Sequence, residues 1–326
     1  MTAPLPIGVI GVGALGRHHA RHLSTLPEAR LVGVYDTDAG RAAAVARELQ
    51  TRAFADLDGL LTETRAVTVA VPTPEHAEVG LRALGAGVPV LMEKPLAATL
   101  DQADALIRAA RERGLQLQVG HIERYNRALR AAEPYLDGPR YIESQRLAPF
   151  QPRGTDVAVV LDLMIHDLDL VLHLTGGQES TEVRASGLSV LSSHLDIANA
   201  RVEFANGTVA LATASRVSRE RVRRLRLFQP NGYLSLDLSS GGGEFMRLRP
   251  DWQPGTGTQL SDVVERVVLE APEADALRLE LQSFVHAVRG DRAAVVSGEE
   301  GRAALALALR VAAAVRTNPL AVPAGR

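Results

Sequence analysis

The sequence predicts an α/β chain with an N-terminal Rossmann doubly wound parallel sheet. A C-terminal α+β domain with a large open, mostly antiparallel sheet is expected to follow. Three observations predict this. Short apolar runs alternate with amphipathic segments over roughly the first 120 residues. A glycine-rich turn closes the first run. Beyond residue 122, strand-like runs follow one another with hairpin signals between them.

Residues 7–10, 31–35, 66–71, 88–92 and 115–119 are short, β-branched or leucine-rich and nearly continuous in hydrophobicity. Parallel strands covered on both faces have this texture. Thr99-Leu-Asp-Gln102 is a capping box opening a helix that stops at Gly114, and Thr73-Pro74 places a cap residue before a first-turn proline. Strand–helix alternation implies right-handed crossovers and a parallel sheet. The dinucleotide-binding domain is therefore assigned to residues 1–121. Residues 122–326 form the second domain, whose C-terminal helices are expected to pack back across the boundary. In it, residues 155–174 are helix-like, and 181–190, 195–204, 208–214, 222–228 and 233–238 are strand-like. Asn206-Gly207 and Asn231-Gly232 mark hairpin turns. Residues 241–257 are glycine-rich and expected to be a mobile loop. Residues 274–289 and a segment capped by Ser297-Gly-Glu-Glu300 are helices.

Composition removes several function classes. The chain has 326 residues, 36 basic and 38 acidic, with net charge −2, so it has no basic excess for a nucleic acid. With no cysteine it has no thiolate nucleophile, disulfide or cysteine metal site. No run approaches the about 20 apolar residues of a membrane span. Residues 1–6 lack a basic leader, and a cytoplasmic protein is expected.

Gly11-Val-Gly13-Ala14-Leu15-Gly16 carries G-x-G-x-x-G directly after a strand-like run and at the start of a helix. Gly11 allows the tight turn, Gly13 lets the backbone approach a pyrophosphate, and Gly16 permits close helix–strand packing. Asp36 ends the second run, 20 residues after Gly16, where a carboxylate accepts the adenosine ribose hydroxyls. An acid there repels a 2′-phosphate, so NAD is favoured over NADP. Arg41, five residues on, could soften that preference.

Of the 36 basic residues only Lys94 is lysine. Arginine bias explains the missing lysines but not the place of the survivor. It lies in Glu93-Lys94-Pro95, just after a strand-like run, at the rim where doubly wound sheets bind ligands. An ammonium there offers a compact charge with a tunable pKa. A solvated surface lysine is the plainer reading. Pro95 is a candidate cis residue. On the 155–174 helix, Asp162 and His166 are i and i+4 and share a face, and Asp169 and His173 continue roughly along it. The pair is a catalytic site or a buried structural pair. A metal site is not expected, because no third ligand is evident. Residues 120–126 (Gly-His-Ile-Glu-Arg-Tyr-Asn) place Arg124 and Tyr125 where a substrate cleft should open, or else form a cap and linker. Six arginines between Arg216 and Arg226 could help bind a diphosphate; a solvated or subunit-facing strand is the favoured reading.

These residues carry a resemblance to the Gfo/Idh/MocA family of NAD(P)-dependent oxidoreductases of sugars and inositols. The matching pieces are residues 11–23, Val71-Pro72-Thr73-Pro74-Glu75-His76, Glu93-Lys94-Pro95, the Asp162…His166 segment and Ser297-Gly-Glu-Glu-Gly301. The resemblance implies that Lys94, Asp162 and His166 are catalytic. It implies that Gly11, Gly13, Ala14, Leu15, Gly16, Asp36, Pro72, Thr73, His76, Glu93 and Lys94 hold NAD. Lys94, Arg124, Tyr125, Asp162 and His166 would hold a sugar or nucleotide sugar. A homodimer or homotetramer is implied, with no nucleic-acid or membrane partner. The run at 120–126 resembles a branch that includes enzymes oxidising C3 of a UDP-N-acetylhexosamine; Arg127 stands where that branch usually has proline. The expected reaction is reversible hydride transfer between nicotinamide and a secondary hydroxyl. An NAD-assisted glycosidase and a non-catalytic NAD-binding sensor or corepressor are the alternatives.

Overall fold

The parallel sheet forms where the continuous apolar runs fall. In the computed structural model, which describes residues 3–151, 157–253 and 259–317, the first eleven elements alternate. They are β1 (Leu5–Ile10), α1 (Gly16–Thr25), β2 (Ala29–Tyr35), α2 (Ala39–Glu48), β3 (Arg52–Ala53), α3 (Leu57–Glu63), β4 (Ala66–Val69), α4 (His76–Gly85), β5 (Val90–Glu93), α5 (Leu100–Glu112) and β6 (Leu117–Gly120). The strands lie in the order β3-β2-β1-β4-β5-β6, all parallel. The order reverses at β1 and β4, the switch point at which such sheets bind dinucleotides. β4 and β6 are buried along their whole length, which is why their sequences read as unbroken apolar runs. β3 was not foreseen: two exposed residues at the sheet edge carry no periodicity.

Helix caps follow local chemistry. Asp38, Asp56 and Thr99 accept backbone N–H groups at the starts of α2, α3 and α5. Thr73 does not cap α4, contrary to expectation. A single 3₁₀ turn, Thr73–Glu75, precedes the helix; Pro74 has no N–H to offer, and the Glu75 N–H goes to the Pro72 carbonyl at 2.9 Å.

The chain divides into two compact units, Met1–Ile122 with Ala274–Leu305, and Glu123–Glu273 with Ala306–Arg326. The second domain assigned from sequence, 122–326, is thus not one continuous stretch: residues 274–305 group with the first unit. The second unit contains α6 (Arg127–Ala132), β7 (Tyr141–Leu147), α7 (Ile165–Leu174), β8 (Ser180–Leu188), β9 (Ile197–Phe204), β10 (Val209–Ser215), β11 (Val222–Gln229), β12 (Gly232–Asp237), β13 (Gly242–Leu248), the short α8 (Leu260–Val263) and β14 (Val264–Leu269). Its sheet runs β14-β13-β12-β11-β7-β10-β9-β8, antiparallel except for the β7–β10 pair. Helices α6 and α7 pack on the face formed by Ile142, Leu225, Leu227, Leu234 and Phe245. The Asn-Gly turns join β9 to β10 and β11 to β12, with positive φ at Gly207 (81°) and Gly232 (151°).

Two expectations are corrected here. Residues 242–248, read as part of a mobile loop, form strand β13. Its glycine serves close approach, because a Cβ at Gly243 would lie 2.9 Å from the Ser235 carbonyl oxygen on β12. Gly255 and Gly257 of that stretch lie outside the described residues. The helix expected over 155–174 is helical from a π turn at Val160–Met164, which continues into α7; residue 155 lies outside the described residues.

Two helices complete the fold. α9 (Ala276–Arg289), capped by Asp275, buries Leu281, Phe284 and Val285 in the core that holds Ile7 and Leu23. α10 (Gly298–Thr317) opens with the expected capping box: Glu300 N donates to Ser297 Oγ at 3.2 Å, and Ser297 N to Glu300 Oε2 at 2.9 Å. No described helix is long and apolar enough to cross a membrane.

Candidate active site

The loop from β1 to α1 is built for an anion. Gly11 has φ 79° and donates its N–H to the Tyr35 carbonyl at 2.8 Å. A Cβ on Gly16 would come within 1.8 Å of the Gly11 carbonyl oxygen, so only glycine fits there. Gly13 differs: the nearest atom to an added Cβ would be an arginine tip 3.9 Å away. Protein packing does not demand a glycine at 13, and its missing side chain leaves open space against the backbone. No side chain caps α1, and Leu15 at its start is half exposed. Uncapped N–H groups, the positive end of the helix and this open space suit a pyrophosphate.

Asp36 follows β2 and is buried. Val12 N donates to its Oδ2 at 2.8 Å and Asp38 N to its Oδ1 at 2.9 Å, which fixes the carboxylate beside the glycine loop. Oδ1, with one donor, keeps a lone pair for a ribose hydroxyl, while Oδ2 also accepts Arg41. Arg41 Nη1 lies 3.4 Å from Asp36, and Arg41 Nη2 binds Asp38 at 3.1 Å, so this guanidinium leans on two carboxylates.

Lys94 directly follows β5, and the Lys94–Pro95 peptide is cis. The residue before it is anchored by a partner that sequence reading did not find. His19 on α1 donates to Glu93 Oε1 at 2.9 Å, and the other carboxylate oxygen accepts Lys94 N at 3.1 Å. Burial pushes the Glu93 carboxyl up. The His19 hydrogen bond and the Lys94 charge outweigh that and hold it below the ordinary carboxylate range. His19 and Glu93 are 74 residues apart, so no local pattern reveals the pair. It ties the helix behind the phosphate loop to the strand that presents the lysine. His76 is also spent on positioning. It is buried, with Nδ1 at 2.8 Å from the Pro95 carbonyl and Nε2 at 3.0 Å from the Val71 carbonyl. Burial lowers its pKa, against the opposing pull of those carbonyls. It joins the loop after β4, where Pro72 and Thr73 sit, to the Lys94–Pro95 loop.

In the second unit, Asp162 lies in the π turn and His166 in the first turn of α7; both are partly exposed. π turns are frequent at functional sites. The next acids along the helix are buried and committed to arginines. Asp167 takes Arg146 through two hydrogen bonds of 2.8 and 3.1 Å, and Asp169 takes Arg124 through two of 2.6 and 2.8 Å. Arg146 also donates to Glu123 Oε1 at 2.8 Å. Burial disfavours its charge, but the Asp167 and Glu123 carboxylates outweigh that and keep it protonated. Asp162 and His166 are partly exposed on this stretch of helix. Asp169 is buried with Arg124, and His173 is exposed farther along.

The 120–126 run is more structural than expected. Glu123, Arg124 and Tyr125 are all buried. Asn126 caps α6 through its Oδ1, and its Nδ2 donates to Glu123 Oε2 and to the Leu238 carbonyl, each at 2.9 Å. Arg127 donates to the Gly241 and Ser240 carbonyls and so holds the β12–β13 turn.

The glycine loop, the buried carboxylate beside it and the anchored lysine of the first unit suit a nicotinamide-dependent oxidoreductase. Comparison with known proteins agrees. Residues 5–121 match the model of the oxidoreductase family with an NAD-binding Rossmann fold, and residues 135–235 match the GFO/IDH/MocA C-terminal domain. The chain belongs to the Gfo/Idh/MocA family. It is 42% identical to UDP-N-acetylglucosamine 3-dehydrogenase of Acidithiobacillus ferrooxidans, over 94% of this chain and 96% of that one. A solved structure of that enzyme superposes with a TM-score of 0.90, covering 96% of this chain and 98% of the other. The scyllo-inositol 2-dehydrogenase (NAD(+)) of Bacillus subtilis is 31% identical over 64% of this chain and 67% of its own.

Proposed function

We propose that the protein oxidises the C3 hydroxyl of a UDP-N-acetylhexosamine with NAD as the hydride acceptor. The observation that carries this reading is the 42% identity to a UDP-N-acetylglucosamine 3-dehydrogenase across nearly the full length of both chains. In sequence, the inositol dehydrogenases match about half to two thirds of this chain.

Bound nicotinamide supplies the hydride acceptor at its C4. His166 takes the proton of the reacting hydroxyl, and Lys94 stabilises the negative charge that develops on the same oxygen. Asp162 orients a neighbouring hydroxyl. The Gly11–Gly16 loop, with Ala14 and Leu15, holds the pyrophosphate; Asp36 holds the ribose diol. Pro72 and Thr73 line the cofactor, while Glu93 and His76 position the residues that touch it. Arg124 and Tyr125 support the substrate side from within the core.

The Asp36 carboxylate faces the place of a 2′-phosphate and disfavours NADP by like charge. Wild-type kcat/KM is expected to favour NAD over NADP by about tenfold or more, since like-charge juxtaposition costs several kcal/mol. Asp36→Ala should narrow that ratio; a wild-type preference for NADP sinks the cofactor assignment. A second copy of this chain is proposed against the sheet face opposite α6 and α7, where Phe228 lies with Tyr141 and Tyr233 at ring distances of 5.7 and 4.7 Å. Light scattering giving the mass of a single chain would contradict it.

A further inference from the structure

The six arginines between residues 216 and 226 separate into four groups. Arg216 is buried; its guanidinium donates to the Leu195 and Val157 carbonyls and lies 3.5 Å from Asp196. Arg224 and Arg226 point to the sheet face away from the helices, where Arg226 pairs with Glu143 at 3.3 Å. Arg223 points the other way, toward α7, beside its register partner Arg146 on β7. Arg219 and Arg221 are exposed in the segment leading to it.

Arg223 is short of anionic partners. Both oxygens of Asp167 are taken by Arg146. Glu123 Oε2 accepts Asn126, and Glu123 Oε1 is held by Arg146 at 2.8 Å. That same oxygen is the nearest carboxylate to Arg223, at 3.6 Å. The Arg223 side chain is 40% exposed. Burial lowers its pKa, and the neighbouring Arg146 charge adds to that, with Arg221 contributing. Two guanidiniums therefore share one carboxylate oxygen, and the partly exposed one lies on the neighbouring strand beside the arginine that clamps Asp167, the residue after His166.

We propose that Arg223, assisted by Arg221, binds the diphosphate of the nucleotide-sugar substrate. This rests on the nucleotide-sugar reading above and assigns that substrate's anionic part to a place. A diphosphate supplies acceptor oxygens that Arg223 need not share with Arg146, and a planar guanidinium meets it through paired N–H groups. The subsite lies on the same unit as Asp162 and His166, as a substrate with its sugar at His166 requires.

The test is calorimetric titration of UDP into the wild type, Arg223→Gln, Arg223→Lys and Arg221→Gln, each saturated with NAD so that the dinucleotide loop is filled. Arg223→Gln is expected to weaken UDP by roughly 10- to 100-fold, the range of a lost hydrogen bond to a charged group. Arg223→Lys should fall between, and exposed Arg221→Gln should weaken UDP by a smaller factor without endangering the fold. In turnover, the loss should fall on KM more than on kcat. Wild-type UDP affinity in both Gln variants, with UDP-N-acetylglucosamine still oxidised, overturns this subsite and leaves the proposed function standing. A wild type that neither binds UDP nor oxidises the nucleotide sugar overturns both.

Discussion

His166→Ala lowers kcat for the nucleotide sugar by about 10²–10⁴-fold, the usual contribution of a positioned general base, while NAD affinity stays near the wild-type value. The separation follows from where the residues lie. The glycine loop, Asp36 and the His19–Glu93 anchor all belong to the first unit, whereas His166 is on α7 of the second. Its side chain is partly exposed at the first turn, next to an acid that is already clamped by Arg146. Removing the imidazole should leave that ion pair and the helix intact. Initial rates and NAD titration of the same preparation check the expectation. An unchanged rate excludes His166 as the base, and a parallel collapse of NAD binding shows damage beyond the base.

The second large effect is on stability. Arg124 and Asp169 form a two-pronged pair with side chains only 2% and 1% exposed. Arg124→Met leaves the Asp169 carboxylate buried without its cation, which typically costs about 3–5 kcal/mol. The denaturant midpoint should fall accordingly, at unchanged slope. Adding Asp169→Leu should recover a large part of that loss, because apolar replacement of both partners of a buried pair is often neutral or better. If Arg124→Met unfolds like the wild type but loses substrate affinity, Arg124 is a substrate ligand rather than a scaffold residue.

The legible parts of the sequence share a physical cause. β1, β4, β5 and β6 are covered on both faces, so continuous apolar runs announce them. The glycine loop and the capping boxes at Thr99 and Ser297 are local devices, complete within a few residues. β7 hid for the opposite reason. Its inward residues are Ile142, Ser144 and Arg146, because the sheet stores a buried ion-pair network there instead of an aliphatic row. The apolar alternation that marks a half-buried strand is therefore absent. β13 was masked by Gly242 and Gly243, which read as loop but permit close strand approach.

The site divided along the same line. Lys94, Asp162 and His166 stand out by composition or spacing, and Asp36 by its distance from the glycines. What the chain brings together from afar was silent: His19 with Glu93, Arg146 with Asp167 and Glu123, and Arg223 beside them. Arg124 and His76 were visible as polar residues in suggestive runs, but the structure commits both to internal partners.

The central claim is that Lys94, Asp162 and His166 serve NAD-dependent oxidation of a nucleotide-sugar hydroxyl. The most direct measurement follows initial NADH formation by the wild type with NAD and UDP-N-acetylglucosamine, with free N-acetylglucosamine and myo-inositol in parallel and the product weighed by mass spectrometry. The account predicts NADH formed one-for-one with a UDP-sugar that has lost two hydrogens, at a kcat/KM well above that of either uncharged substrate. NADH formation with myo-inositol that equals or exceeds that with the nucleotide sugar would contradict it.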